Sequence, residues 1–331
     1  MTITQSGRYG TTSPAPGGHF APCAAQWVAV MDNPIEQFRA ALADAGITLH
    51  PSATIRADGA LHRARAADDK AGALSIWFVL HPDAPASGAA GNWKTGARLT
   101  WCGKRQSALT ATERAEIARR ITEDRERAQV ATEARHRDAA AKAARIWQQS
   151  APAAARHPYL ERKGIAPGIA RQHGDALILP ITDFNGTLHG LQFIDEQGQK
   201  RFISGMAKAG HFIPTHAEPD GTRPLWIAEG WATASTLAML KPGVCVIAAL
   251  DAGNLQAVAV EARRRFPQID LVIAADADAV GMEKAKAAAV ESRAKWIWPR
   301  FPKDAPEGLS DFNDWSQWRK SPRQFSQGVA S

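Results

Sequence analysis

Cysteine is scarce in this chain of 331 residues, and so are the motifs that usually accompany it. The three cysteines, Cys23, Cys102 and Cys245, are scattered and form no Cys-x-x-Cys pair. We therefore expect no zinc ribbon and no disulfide framework. A Gly-x-x-x-x-Gly-Lys-Ser/Thr motif is also missing, which excludes a nucleotide-driven motor of that type in this chain.

Long apolar runs are missing as well. No stretch approaches the roughly 18–20 apolar residues that a membrane-spanning helix needs, and residues 20–31 lack the basic leader of a signal peptide. The sequence predicts a cytoplasmic protein without a membrane partner.

Acidic residues are outnumbered by basic ones. The formal net charge is +7 and the isoelectric point is about 9.5. A basic balance of this size suits a phosphate backbone as partner, although many basic proteins bind no nucleic acid.

Three short acidic motifs lie in order in the last third of the chain. Apolar residues 225–228 end at Glu229-Gly230, apolar residues 271–275 end at Asp276-Ala277-Asp278, and Asp311 and Asp314 follow within residues 310–314. An apolar run that ends in carboxylates indicates a buried strand that places acids at its carboxyl edge, where open α/β sheets bind ligands.

Carboxylates gathered at one edge repel one another unless a cation lies among them. Hard oxygen ligands suit Mg²⁺ or Mn²⁺. A single Asp-x-Asp is most often a turn or a helix cap. The combination with a second strand that ends in Glu229 favours a metal site instead.

This combination resembles the TOPRIM fold of bacterial-type DNA primases, topoisomerases and some nucleases. The family pattern is a Glu-Gly after one strand and Asp-x-Asp-x-x-Gly after a later one, here Glu229-Gly230 and residues 276–281. The resemblance implies a Rossmann-like parallel sheet, with Glu229, Asp276 and Asp278 as catalytic residues that also bind metal, joined in metal binding by Asp311 and Asp314.

Upstream residues resemble the primase catalytic core, most closely that of plasmid- and phage-type primases. Residues 157–164 match a short element near the start of that core, and residues 177–193 match its hairpin, with the turn signal Asn185-Gly186. The resemblance implies that Arg171, Lys200 and Arg201 bind template or triphosphate phosphates.

Two positions depart from the family. Many primases carry a further acid four residues after the glutamate, where this chain has Thr233. The third acidic element is also less compact than usual, and Asp311 and Asp314 are equally compatible with a helix N-terminus, where acids offset the helix dipole.

The predicted fold class is α/β, with a TOPRIM parallel sheet preceded by a basic α+β subdomain, a long helix and a small α+β module. The predicted order is a disordered leader 1–32, the α+β module 33–107, a long charged helix 108–150, the basic subdomain 151–222, the TOPRIM domain 223–316 and a tail 317–331.

Aromatic and basic residues are interleaved in the module 33–107. Trp77, Trp93, Arg63 and Lys94 lie among its predicted strands, which include 55–57, 61–64, 74–80 and 99–101. Trp93 and Lys94 are therefore candidates for binding single-stranded nucleic acid. The alternative is that the aromatic side chains form the core of a small sheet.

The primase resemblance implies a Mg²⁺-dependent nucleotidyltransferase that makes short primers on single-stranded DNA from nucleoside triphosphates, with a separate helicase or replication initiator as partner. A metal-dependent nuclease is a second interpretation. A non-catalytic single-strand-binding accessory protein is a third. A topoisomerase is not expected, because neither Tyr9 nor Tyr159 is placed as its nucleophile.

Overall fold

The computed structural model describes residues 33–321 and divides into two compact units. The first ends at Gln129 and the second begins at Val130. The predicted leader 1–32 lies outside the described residues, as does the end of the predicted tail. Between residues 33 and 321 no helix is long and apolar enough to cross a membrane.

The first unit packs one helix on a four-stranded antiparallel sheet. Helix α1 (Pro34–Asp44) begins where Asn33 accepts a hydrogen bond from the Ile35 amide at 2.9 Å, and it buries Phe38 and Leu42. The strands pair in the order β1-β2-β3-β4. They are β1 (His62–Ala64), β2 (Ile76–His81), β3 (Ser87–Asn92) and β4 (Arg98–Cys102).

Two expectations for this sheet were wrong. Residues 55–57 form no strand, because Asp58 and Gly59 make a turn into β1 rather than a hairpin, with the Gly59 amide bonded to the Leu80 carbonyl at 2.9 Å. Strand β3 was not predicted, because small residues with weak strand preference dominate its sequence.

A single helix, α2 (Ala111–Gln149), confirms the predicted long helix and contains the division between the two units. Its start is a reciprocal cap: the Glu113 amide donates to the Thr110 hydroxyl at 3.2 Å, and the Thr110 amide donates to the Glu113 carboxylate at 2.8 Å. Its basic cluster is partly paired, since Arg119 and Arg120 both bind Glu116. Of the two arginines, Arg119 is exposed, whereas Arg120 is largely buried.

The second unit begins with an antiparallel sheet in the order β5-β6-β7-β8-β9. Its elements are β5 (Ala151–Pro152), α3 (Pro158–Lys163), β6 (Arg171–His173), β7 (Ala176–Thr182), β8 (Leu188–Ile194) and β9 (Lys200–Phe202). The predicted hairpin is confirmed as β7 and β8. Its connection is longer than two residues, because Asp183 accepts the amides of Asn185 and Thr187 and the loop spans 183–187.

The second sheet of this unit is mainly parallel, as the apolar runs predicted. Its order is β10-β12-β11-β13-β14, and only the edge strand β10 is antiparallel. The strands are β10 (Ile213–Pro214), β11 (Leu225–Ala228), β12 (Cys245–Ala248), β13 (Leu271–Ala274) and β14 (Lys295–Ile297). The helices that follow are α4 (Trp231–Leu240), α5 (Leu255–Arg265) and α6 (Ala279–Ser292).

The last described element is a helix, which the sequence offered only as an alternative to a metal-binding role for Asp311 and Asp314. Helix α7 (Phe312–Lys320) runs into the predicted tail, which begins at residue 317. It contacts the second unit through Asn313, whose side-chain amide donates to the Lys163 carbonyl at 2.6 Å and the Thr236 hydroxyl at 2.9 Å. These tertiary bonds attach the segment to the rest of the second unit.

We expect Phe38→Ala to destabilise the first unit by about 3–5 kcal/mol, because it leaves a cavity beside Phe78 and Trp101, whose rings lie 6.5 and 5.5 Å away. Urea unfolding followed by near-ultraviolet circular dichroism measures the change. Leu74→Ala is the control, because Leu74 is 53% exposed. Equal losses in both variants would contradict the assigned core.

Candidate metal centre

The acidic motifs meet at the carboxyl edge of the parallel sheet. Strands β11 and β13 are paired in register, with Ala228 opposite Ala274. Glu229 follows the first strand directly, and Asp276 lies two residues beyond the second. Because parallel strands end at the same edge, the alignment places both carboxylates at one side of the sheet.

Asp276 is the most constrained acid of the group. Its Oδ1 atom is buried without a hydrogen-bond partner, which is costly for a carboxylate. Gly281 makes the close packing behind it possible, because a Cβ atom there would lie 3.2 Å from the Asp276 Cβ and 3.4 Å from Asp278 Oδ2. Asp278 caps helix α6 by accepting the Gly281 amide at 2.8 Å.

Charge crowding raises two pKa values at this edge. Burial, and then the negative charges of Glu229, Asp311 and Asp278, raise the pKa of Asp276 to about 7. Burial also raises the pKa of Glu229, assisted by Asp278 and Asp251 and opposed by the Ala252 amide. Each of these carboxylates therefore needs positive charge to stay ionised at low cost.

Lys200 supplies part of that charge. Its ammonium group lies 3.5 Å from the position that a Cβ on Gly230 would take, and it lowers the pKa of both Asp276 and Glu229. Lys200 therefore lies beside the acids, and its predicted binding to phosphate stays a prediction. Arg201 is the next residue of β9 and is also exposed, but successive strand residues face opposite ways.

Asp311 and Asp314 form the helix N-terminus that the sequence left as the alternative. Asp311 Oδ1 accepts the Asp314 amide at 2.8 Å, and Asp314 Oδ2 accepts the Ser310 amide at 3.1 Å. Asp311 still acts on the site through its charge. Asp314 is directed to capping and lies 3.8 Å from the Lys163 ammonium, so the geometry does not support it as a metal ligand.

Thr233 stands where many primases have another acid, and its hydroxyl donates to Asp311 Oδ2 at 3.1 Å. A second bond, from the Ala277 amide to the Ser310 carbonyl at 2.6 Å, joins the Asp-x-Asp loop to the same segment. Together the two bonds hold Asp311 beside Asp276.

Sequence reasoning missed Asp251 as a member of the site. It follows the end of β12, its charge acts on Glu229, and its carboxylate pairs with Lys208. The preceding Leu250 has a φ of 79°, an unusual backbone conformation for a non-glycine residue. The signal in the sequence was the same as for the other acids, namely an apolar strand that ends in an aspartate.

Arg171 was expected to bind phosphate, and the structure gives its guanidinium a different role. It donates to the Trp147 carbonyl at 2.6 Å and stacks 4.5 Å from the centre of the Trp147 ring. Through these contacts β6 packs against the end of helix α2. A guanidinium held in this way stabilises the fold and has little freedom to follow a phosphate.

In the first unit, Trp93 is available for the predicted contact with nucleic acid, whereas Lys94 is already paired. Trp93 is 60% exposed, as a base-stacking side chain requires. Lys94 is paired with Asp68 at 3.0 Å and Asp69 at 3.2 Å. Because two carboxylates neutralise its ammonium, Lys94 is poorly suited to bind phosphate.

The acids fit a hard divalent cation, in particular one that keeps several waters. Within residues 33–321, no group of three or more acidic, histidine or cysteine side chains is placed to hold one ion together. Mg²⁺ is often bound through one or two carboxylates plus substrate phosphates, which matches a buried, unpaired Asp276 oxygen beside other acids.

Comparison with known proteins agrees with the position of this site. A family model described as the Toprim domain matches residues 224–320. A DNA primase TraC of Escherichia coli is 32% identical over 302 residues, which are 83% of this chain and 20% of that protein. A second TraC of the same species is 32% identical over 296 residues, which are 83% of this chain and 28% of that protein. The chain thus spans less than a third of the length of these relatives.

Solved primase structures are more distant. The primase fragment of the bacteriophage T7 primase-helicase protein is 15% identical, with a TM-score of 0.38, and the match covers 49% of this chain and 69% of that one. The DnaG primase catalytic domain bound to single-stranded DNA is 16% identical, with a TM-score of 0.33, covering 44% and 48%.

We expect the stability of the metal-free protein to fall as pH rises from about 4 to about 7 through Asp276. In that interval the unfolded carboxyl ionises while the folded one keeps its proton, so folding is increasingly disfavoured. Asp276→Asn removes this pH-dependent loss of folding stability, which is on the order of a few kcal/mol at most. Thermal melting in a chelator at several pH values measures it.

The variant should melt above the wild type at pH 8 and close to it at pH 4. Mg²⁺ should stabilise the wild type more than the variant. Parallel pH profiles for the two proteins would contradict the raised pKa of Asp276.

Proposed function

This chain contains a TOPRIM domain and resembles plasmid-type DNA primases, and on that premise we propose that it is a Mg²⁺-dependent nucleotidyltransferase that makes short primers on single-stranded DNA. The observation that carries the proposal is the buried, unpartnered Oδ1 of Asp276 among Glu229, Asp278 and Asp311. This arrangement is unfavourable without a cation and favourable with one.

Asp276 and Asp278 would hold the metal, with Asp311 adding negative charge behind them. When bound, the metal would neutralise triphosphate charge and assist nucleotidyl transfer. The ammonium of Lys200, beside the same acids, would bind a phosphate of the incoming nucleotide through charge-assisted hydrogen bonds. Arg201, exposed on the same strand, would contact the template backbone.

Glu229 is proposed to accept the proton of the attacking 3′-hydroxyl. Its pKa is raised by burial and by neighbouring acids, which brings it closer to neutral pH and makes it a better proton acceptor than an ordinary glutamate. The same property supports a nuclease as a second candidate, in which Glu229 would activate water.

The proposed partners are single-stranded DNA and nucleoside triphosphates. A separate helicase or replication initiator, which would open the template, is the further partner that we propose.

We expect Asp276→Ala to abolish primer synthesis, because it removes the central carboxylate. The assay combines single-stranded template, labelled ATP and Mg²⁺, with products separated on a denaturing gel. Asp270→Ala is the matched control: Asp270 precedes the same strand β13 at its opposite end and pairs with Lys295 at 2.8 Å. That variant should keep its activity.

Circular dichroism of both variants establishes that the fold is retained. Full activity in Asp276→Ala would eliminate the assigned centre. Cleavage of labelled DNA with Mg²⁺ and no nucleotides, lost in the same variant, would assign the nuclease activity instead. Binding of single strands without either activity would assign the accessory role.

A further inference from the structure

One cross-strand row of the first unit combines aromatic and basic side chains on a single face of the sheet. Arg63 on β1 pairs with Trp77 on β2, Trp77 pairs with Gly91 on β3, and Gly91 pairs with Arg98 on β4. Residues paired across strands point to the same face. We call these four residues the Arg63–Arg98 row.

This row lies on the face opposite the hydrophobic core. The neighbouring residues Ile76 and Phe78 are buried against α1, whereas Trp77 between them is half-buried and both arginines are exposed. The alternation therefore answers the question left by the sequence: Phe78 belongs to the core, and Trp77 belongs to the outer face.

Gly91 makes the row flat. A Cβ atom on Gly91 would lie 2.6 Å from Trp77 Nε1 and 2.8 Å from Cε2, so the indole lies across the bare backbone of β3. The Trp93 ring lies 6.2 Å from that of Trp77, and the Arg63 guanidinium lies 5.3 Å from the centre of the Trp93 ring. Two indoles thus border one shallow surface.

The two arginines carry charge that the described residues leave unneutralised. Neither Arg63 nor Arg98 forms an ion pair between residues 33 and 321. Nearby Lys94 is different, because Asp68 and Asp69 hold it. With strands about 4.8 Å apart, three spacings separate the backbones of the two arginines by about 14 Å. That is far enough to contact different phosphates of one strand.

Among residues 33–321, helix α2 contacts the same face of the sheet at His81. His81, four residues along β2 from Trp77, bonds to Asp124 of helix α2 at 2.7 Å. Four strand residues span about 13 Å, so this contact is well separated from the Arg63–Arg98 row.

We propose that the Arg63–Arg98 row, together with Trp93, binds single-stranded DNA by stacking unpaired bases on the indoles and holding phosphates with the two guanidiniums. Paired bases cannot expose their faces to such a surface, which favours single strands over duplex. The identification of the bound DNA as the template rests on the proposed function, whereas the DNA binding itself does not.

The test uses the full chain carrying Asp276→Asn, in a chelator and without nucleotides, so that the catalytic centre contributes nothing. Fluorescence anisotropy of a labelled oligothymidylate measures affinity across a range of salt. Trp93→Ala should weaken binding roughly tenfold, the scale of one lost base stack. Trp93→Phe, which keeps a stacking ring, should recover most of the affinity.

Arg98→Glu should weaken binding and reduce the slope of log affinity against log salt by about 0.7, the value for one phosphate contact on a single strand. Arg39→Glu is the control: it makes the same charge change at a partly exposed position of α1, the helix packed on the opposite face. Its affinity and salt slope should match the parent.

Equal affinity of Trp93→Ala and the parent, in a protein with an unchanged melting temperature, would overturn the proposal. An equal loss in Arg39→Glu and Arg98→Glu would also do so, because it would indicate diffuse attraction. If the Asp276→Asn parent binds no single-stranded DNA, the DNA-binding site is at the TOPRIM centre and the proposal is wrong. Failure of primer synthesis with binding retained counts against the proposed enzyme activity alone.

Discussion

Repulsion among carboxylates at one edge of a parallel sheet is the constraint on which the second unit depends. Asp276 is buried with an unpaired oxygen and is surrounded by the negative charge of Glu229, Asp278 and Asp311. Such an arrangement lowers stability unless a cation compensates it. The surrounding structure holds the acids together despite that cost: in-register strands β11 and β13, the close packing at Gly281, and the bond from Ala277 to Ser310.

Helix α7 connects this edge to the antiparallel sheet of the same unit. Its N-terminal cap positions Asp311, the Thr233 hydroxyl binds that carboxylate, and Asn313 bonds to Lys163 at the end of α3. From the same antiparallel sheet, Lys200 places an ammonium beside the acids. The site is therefore assembled from five separate stretches of chain, which contribute Lys200, Glu229, Asp251, the pair Asp276 and Asp278, and Asp311.

The departure at position 233 has a structural explanation. A further acid there would add negative charge next to Asp311. Threonine instead donates a hydrogen bond to the Asp311 carboxylate. The centre thus carries one charge fewer than many primases, and Asp251, paired with Lys208, lies on its other side.

The sequence alone determined the parallel strands, the carboxylates at their ends and the long helix, because strand burial and helix periodicity depend on neighbours within a few residues. It left open whether Asp311 caps a helix or binds a metal. It could not give the partners of Arg171 or Lys94, because a long cationic side chain takes whichever partner the fold brings near, here the Trp147 carbonyl and a pair of aspartates. It also missed β3, whose small residues form a strand only between two neighbours. Only the tertiary structure decided that Trp77 lies on Gly91 in one cross-strand row with Arg63 and Arg98, because register across four strands is set by the packed sheet and not by any one segment.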